Sequence, residues 1–380
     1  MPPNWAGNWR GAALLHHHIP ALDGVRGLAV SLVVLQHSGL AVGGRIGVDL
    51  FFVLSGFLIT GILLREQDET GRIGLRNFYA RRVLRLFPAL FLMVVVVTAF
   101  VAIVHPTQLW MTVQNAGSIL LYFFNWVLVW QMPDATLHQS MFSHVWSLSV
   151  EEQFYLLWPL VLIIAARFRA PHTVLATIIA AGILYPAIGR AAIADSAPEL
   201  QIYFRSDMRF DGLMFGAAVA LLTQTCHSRP RFSTLLAILG WAALAIILVM
   251  ARTELLETGA LYQWGFTLVN FCGAALIASL VWCPAQQLQK LMSLAWLRWL
   301  GVISYGIYLW HWPVFRALRP LEGGWTRKVT EIALSILIAA LSYYLMERRF
   351  LRLKHLFPAT GGSGAAQRGA PLAHDLLKSP

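Results

Sequence analysis

Apolar residues run along the chain in eleven blocks, at about residues 22–40, 47–64, 87–104, 119–130, 147–166, 173–190, 210–225, 234–251, 262–283, 299–318 and 328–346. Their length and their low charge fit membrane-crossing helices, which need roughly 17–25 mainly apolar residues. The block ILLYFFNWVLVW at 119–130 is too short for that, and the flanking stretches 105–118 and 131–146 contain no Lys or Arg. It is predicted to be an interfacial or re-entrant piece on the outer side. Ten crossings remain, which puts both termini in the cytoplasm. The fold class expected is all-α, a polytopic membrane protein. A short segment (1–20) precedes the membrane domain (21–350), and a basic and then disordered cytoplasmic tail (351–380) follows it.

Charge supports this arrangement. Nineteen of the 29 Lys and Arg residues fall on the side assigned to the cytoplasm and nine on the other, with Arg26 inside the first helix. Cytoplasmic loops carry just such an excess. The chain of 380 residues is 58% hydrophobic and only 12% charged, with mean hydropathy +0.62. Soluble domains carry about 25% charge. A net charge of +11 would suit nucleic acid, but the basic residues sit in short loops between apolar spans. They point to topology and an anionic ligand instead, with no nucleic acid. Cys226, Cys272 and Cys283 have neither metal spacing nor a pairing pattern, so no metal site is expected. His16, His17 and His18 precede an Ile-Pro break and read as interfacial rather than as ligands. No short apolar core followed by a small-residue cleavage site marks a removable signal peptide.

Ionisable residues inside apolar blocks are costly and therefore draw attention. In LDGVRGLAVSLVVLQHSGL, Arg26 and His37 are eleven residues apart. On a helix that is about three turns, so both lie on one face roughly 16 Å apart, with the imidazole at mid-depth or beyond. His37 is either a base or a hydrogen-bonding glue residue between helices. Asp49 opens the next block, to cap it or to orient His37. The loop REQDETGRIGLRNFYARRVLRLFP carries the densest charge, and Arg81, Arg82 and Arg85 form forks suited to phosphate oxygens, unless they only set topology. In WSLSVEEQFYLLWP, Ser147, Glu151, Tyr155 and Trp158 form one stripe, with Glu152 about 100° away. Arg209 and Asp211 in RFDGLMFG read equally as a site or as a surface ion pair and cap. SYGIYLWHWP puts Ser304, Tyr308 and His311 on one face. An aromatic belt accounts for the tyrosine but not for the histidine.

Together, and in this order, Arg26 and His37, GVDLFFVLSGFLI, RRVLR, SLSVEEQFYLLWP, RFDGLMFG and SYGIYLWHWP resemble the acyltransferase family 3 membrane proteins, from about Ile19 to Phe350. The resemblance implies a ten-helix enzyme of the cytoplasmic membrane. Such enzymes take an acyl group, most often acetyl, from cytoplasmic acyl-CoA and pass it to a hydroxyl of a glycan or lipid-linked sugar outside. It implies that His37 is the essential histidine, and Glu151 matches the glutamate of the family's fifth-helix motif; Asp49, as a group that could orient His37, is a further catalytic candidate. Arg26, Arg81, Arg82 and Arg85 would be the donor-binding set. Arg209, Asp211, Tyr308 and His311 are candidates for holding the acceptor. Some relatives append an esterase-like domain outside the membrane, and this chain is expected to work without one. A second copy of the chain is a candidate partner. A proton-coupled transporter or flippase is the competing reading, since an intramembrane His, Arg and Glu also describe proton relays, although no inverted repeat announces one.

Overall fold

The computed structural model describes residues 18–131, 140–194, 196–226, 233–253, 259–283, 286–320 and 323–358. His16, His17 and the tail after Pro358 lie outside the described residues. No strand occurs among the described residues.

The first helix, α1 (Pro20–His37), starts where Ile19 is extended and Pro20 takes the first helical position, the place that tolerates a missing N–H. It has 18 residues and is about 27 Å long, just enough for the hydrocarbon core. A tight turn through Gly39, at φ +72°, leads to α2 (Gly47–Thr70). Gly71 stops α2 in the left-handed conformation, with its N–H on the Gln67 carbonyl. The 30 residues of α3 (Leu75–Val104) come to about 45 Å, longer than the bilayer core, so its Arg-rich start projects beyond the apolar layer.

The predicted 119–130 block is not one helix. It covers the end of α4 (Leu109–Leu120), a break at Tyr122 with φ 54°, and α5 (Phe124–Trp130). The stretch 105–118, expected as loop, is therefore largely helical. Its buried face carries Thr112, Asn115 and Ile119, and two polar residues on that face hide the helical period from a hydropathy reading. The break reaches inward, since Gln153 donates from within the next crossing helix to the Tyr122 carbonyl at 2.9 Å.

The rest alternates across the layer: α6 (Trp146–Arg167), α7 (His172–Ile193), the short α8 (Glu199–Phe204), α9 (Phe210–Thr225) and α10 (Ser233–Arg252). A π-helical turn at Leu261–Gly265 opens α11 (Phe266–Trp282). Then come α12 (Gln287–Met292), α13 (Ala295–Val302) and α14 (Ser304–Leu318), the last two split at Ile303 from a block predicted to be continuous. The chain closes with α15 (Gly324–Ser342), a π-helical turn at Tyr343–Glu347, and α16 (Arg348–Arg352).

Seven of these stretches are long and apolar enough to cross a membrane: those around α2, α3, α6, α7, α10 and α11, and the run from α15 through α16. The other three expected crossings, α1, α9 and α14, have 18, 16 and 15 residues and carry several of the intramembrane ionisable side chains. The α2 and α11 windows are 78% and 67% buried, against 22–33% for α3, α7, α10 and α15. Helices α2 and α11, with α1, α9 and α14, thus form an inner layer, and most of the surface of α3, α7, α10 and α15 is turned outward.

The inner layer depends on backbone contact. A Cβ on Gly56 of α2 would lie 1.9 Å from the Leu213 carbonyl oxygen of α9, and one on Gly216 of α9 would lie 1.9 Å from the Val53 oxygen of α2. Small residues at both positions let the helices touch where lipid offers no hydrophobic drive to bring them together. Gly216→Ala is expected to cost about 1–3 kcal/mol by overpacking. Gly117→Ala, where a Cβ meets nothing within 4 Å, is expected to be neutral or stabilising by up to about 1 kcal/mol. Thermal unfolding of the two purified variants in detergent checks this.

Candidate functional site

A cavity of about 420 Å³ runs between α1, α2, α3, α6 and α14. Its lining on α2 extends from Val48 to Ile62, which is about 21 Å of helix. One end is basic, with Arg26, Arg81, Arg82, Arg85 and Lys354 in its wall; the far end is formed by Val48, Phe51, Ser147 and Tyr308. The four arginines singled out in the sequence therefore meet in one place. Lys354 joins them unannounced: in the sequence it is one more basic residue of a tail, and only the bend of the chain after α15 brings it here.

Local geometry sets the walls. Arg26 bonds Asp23 at 3.1 Å, and Asp23 also bonds His18 at 2.7 Å. Arg82 lies 4.1 Å over the Tyr155 ring, whose hydroxyl donates to Glu151 at 3.2 Å. Ser55 donates to the other oxygen of the same carboxylate, also at 3.2 Å. Glu151 thus stands on the cavity wall, held by two hydroxyls, while Glu152 is off that wall. Trp158, the last member of the stripe, donates to Thr60 of α2 at 2.8 Å. At the far end the Tyr308 hydroxyl donates its single proton to the His144 carbonyl at 2.5 Å. Ser147, 2.6 Å away, must then donate to the phenol oxygen.

Behind Tyr308 stands a histidine pair. The Nδ1 of His311 faces the carbonyls of Tyr308 at 2.7 Å and Ile307 at 3.1 Å, so it bears the proton. Its Nε2 then carries the lone pair and accepts from Nδ1–H of His37 at 3.1 Å. The chain of bonds leaves the free lone pair of His37 on Nε2, the form a general base or nucleophile needs. His311 is fully buried, whereas His37 is only partly so. The ring of His37 meets Trp312 edge-on at 4.8 Å. His37 is the last residue of α1, farther along than mid-depth, because the Gly39 turn ends the helix there.

His37 is not on the cavity wall. Tyr308 and His311, with ring centroids 5.6 Å apart, lie between, and His37 is 5.0 Å beyond His311. A third imidazole, His144, packs 5.2 Å from His311 and donates through Nε2 to the Leu309 carbonyl at 3.0 Å. It lies just ahead of α6 in a stretch without hydropathic pattern, which is why the sequence did not reveal it. Among the described residues no His, Cys, Asp or Glu group is arranged to hold a metal ion.

Asp49, Arg209 and Asp211 belong to a separate cluster. The expected surface pair of Arg209 with Asp211 is not formed. Arg209 bonds Asp49 at 2.8 Å, Asp211 bonds Arg190 of α7 at 2.6 Å, and all four side chains are at most 1% exposed. Arg190 further donates to Thr267 at 2.6 Å and to the Met208 carbonyl, and Arg209 packs 3.7 Å over Phe266. Charges this deep have to find opposite charges on neighbouring helices, so the pairing runs between helices instead of along one. Asp49 makes no capping bond at the start of α2 and has no bond to His37. The cluster ties α2, α7, α9 and α11 together.

The fold and the cavity describe an all-α polytopic membrane protein that can hold an anionic, elongated ligand between one face and a histidine pair near the other. Residues 19–347 match the family model described as an acyltransferase domain, and the chain belongs to acyltransferase family 3. It is 32% identical over 344 residues to the peptidoglycan O-acetyltransferase OatA of Listeria monocytogenes, covering 87% of this chain and 55% of that protein. To the putative peptidoglycan O-acetyltransferase YrhL of Bacillus subtilis it is 34% identical over 349 residues, covering 88% and 55%. To the O-acetyltransferase OatA of Staphylococcus aureus it is 30% identical over 342 residues, covering 87% and 57%. The chain thus spans little more than half the length of these curated relatives. No solved structure matches it.

Removing one partner of a buried ion pair leaves an uncompensated charge and costs about 3–5 kcal/mol. Asp49→Ala is expected to lower thermal stability by that order. Truncation of the exposed Arg72 is expected to change it by no more than about 0.5 kcal/mol. Unfolding curves of both variants in the same detergent make the comparison.

Proposed function

We propose that the chain transfers an acetyl group from acetyl-CoA at its basic, cytoplasmic face to a hydroxyl of an envelope glycan of the peptidoglycan type on the opposite side of the cytoplasmic membrane. The observation that carries this reading is the cavity itself, which connects five cations at one end to the rear of a base-ready histidine pair at the other. Arginine forks match phosphate oxygens bidentately. Coenzyme A presents a pyrophosphate and a 3′-phosphate on one end of a long, narrow arm. The phosphates dock on Arg26, Arg81, Arg82 and Arg85, and the arm extends along α2 past Glu151 toward Ser147 and Tyr308. The names of the relatives support both the acetyl group and the glycan acceptor.

In the chemical step the acceptor hydroxyl gives its proton to Nε2 of His37 while its oxygen bonds to the thioester carbon. The carbon–sulfur bond breaks, and the departing thiolate takes a proton to become free coenzyme A. Alternatively, Nε2 first bonds to the thioester carbon as the carbon–sulfur bond breaks and the thiolate leaves; the alcohol oxygen then displaces the imidazole from that carbon, and the alcohol's proton goes to the thiolate. Both routes need the lone pair on Nε2, and His311 maintains it there by accepting from Nδ1–H. His311 is therefore a positioning residue. Tyr308 must yield for the thioester and the imidazole to meet, since it lines the cavity whereas His37 does not. Asp49, Arg190, Arg209 and Asp211 hold the outer ends of their helices in register and keep the acceptor side in shape.

Membranes containing the protein are expected to release free coenzyme A from acetyl-CoA and to acetylate a peptidoglycan-type acceptor. His37→Ala is expected to lower that rate by about 10²–10⁴, the usual share of a general base. Thiol release and acetyl-sugar are the two readouts. Near-normal transfer by the variant contradicts the assignment.

A further inference from the structure

The short segment after α16 folds back against the start of α3. Arg81 donates to the Phe357 carbonyl at 2.9 Å, and Asn77 donates to the Pro358 carbonyl at 2.8 Å. Those two bonds fasten the segment under the basic end of the cavity and bring Lys354 into its wall.

The five cations there are not equally satisfied. Arg26 has Asp23, Arg81 has the Phe357 carbonyl and Glu66 at 3.9 Å, and Arg82 has the Tyr155 ring. The side chains of Arg85 and Lys354 have no hydrogen bond or ion pair among the described residues. Lys354 is instead within the electrostatic reach of Arg85, Arg82, Arg81 and Arg26, all of its own sign. A lysine at a membrane border ordinarily relieves such repulsion by extending its flexible stem into water. Here the segment that carries it is strapped so that the ammonium lines the cavity. A multiply charged anion in that space turns the repulsion into attraction.

Position around the cavity indicates which part of the donor Lys354 meets. Arg81, Arg82 and Arg85 stand on α3, whereas Lys354 comes from the segment packed against that helix, with Arg85 the first of its electrostatic neighbours. The pyrophosphate carries the inward-directed arm and suits the guanidinium forks of α3, which leaves the branching 3′-phosphate for the ammonium on the other wall. We propose that Lys354 is the ligand for the 3′-phosphate of the donor nucleotide, and that segment 353–358 is a wall of the donor site. The assignment rests on the acetyl-CoA reading above and adds to it a specificity determinant.

The test compares acetyl-CoA with acetyl-3′-dephospho-CoA in purified wild type, Lys354→Ala and Lys354→Arg. Wild type is expected to show a KM for acetyl-CoA about tenfold lower than for the dephospho donor, the effect of one charge-assisted bond. Lys354→Ala is expected to raise the acetyl-CoA KM to that of the dephospho donor without changing kcat, and Lys354→Arg is expected to keep most of the preference. An unchanged KM in Lys354→Ala, or an equal rise with both donors, overturns the assignment; the equal rise is what mere loosening of the segment would give. No transfer from acetyl-CoA by the wild type would instead overturn the donor reading itself, and it is visible in a different arm of the experiment.

Discussion

Charge in a low-dielectric layer must be compensated, and this constraint orders the whole molecule. Asp49 and Arg209, and Asp211 and Arg190, neutralise one another between helices at exposures of 1% or less. Such pairs are retained where breaking them is worse than keeping them, since a lone buried charge costs several kcal/mol. At the other end of the molecule the same rule has a different outcome. Arg26, Arg81, Arg82, Arg85 and Lys354 gather around a cavity in which cations outnumber carboxylates. In the outer cluster the protein supplies its own counter-charges; at the basic end it leaves room for a ligand to bring them.

Helix length follows from the same constraint. The helices that carry His37, His311, Arg209 and Asp211 are the shortest crossings and lie in the inner layer, where other protein replaces lipid. Close backbone contact between α2 and α9 through Gly56 and Gly216 makes that layer compact enough to exclude lipid. The cavity survives within it because bulky side chains on α2, α6 and α14 splay around the arm-shaped space and are fixed by specific bonds. Ser147 to Tyr308 and Tyr155 to Glu151 are two of these. Tyr308 lines the cavity, and its ring packs against His311, which in turn bonds His37.

Much of this was readable in the chain. Block lengths predicted the seven helices long and apolar enough to cross a membrane, and the rarity of ionisable groups in apolar surroundings singled out Arg26, His37, Asp49, Glu151 and His311. Helical spacing placed Arg81 with Arg85, and Ser147 with Glu151 and Tyr155, on common faces, and all five line the cavity. Partner identity was not readable, because periodicity acts within an element whereas Asp49 and Arg209 are 160 residues apart. His144 and Lys354 sit in stretches without periodic pattern, and their environments are created only by packing. The helix at 109–120 escaped for a related reason, since it buries Thr112 and Asn115 on the face that hydropathy expects to be apolar.

Sidedness is the central claim, and sealed vesicles with the protein in one orientation test it most directly. Acetyl-CoA is supplied only to the basic face and the glycan acceptor only to the opposite face. Coenzyme A is expected to be released on the donor side and acetylated glycan to accumulate on the other. Product that forms only when donor and acceptor share a compartment would contradict it.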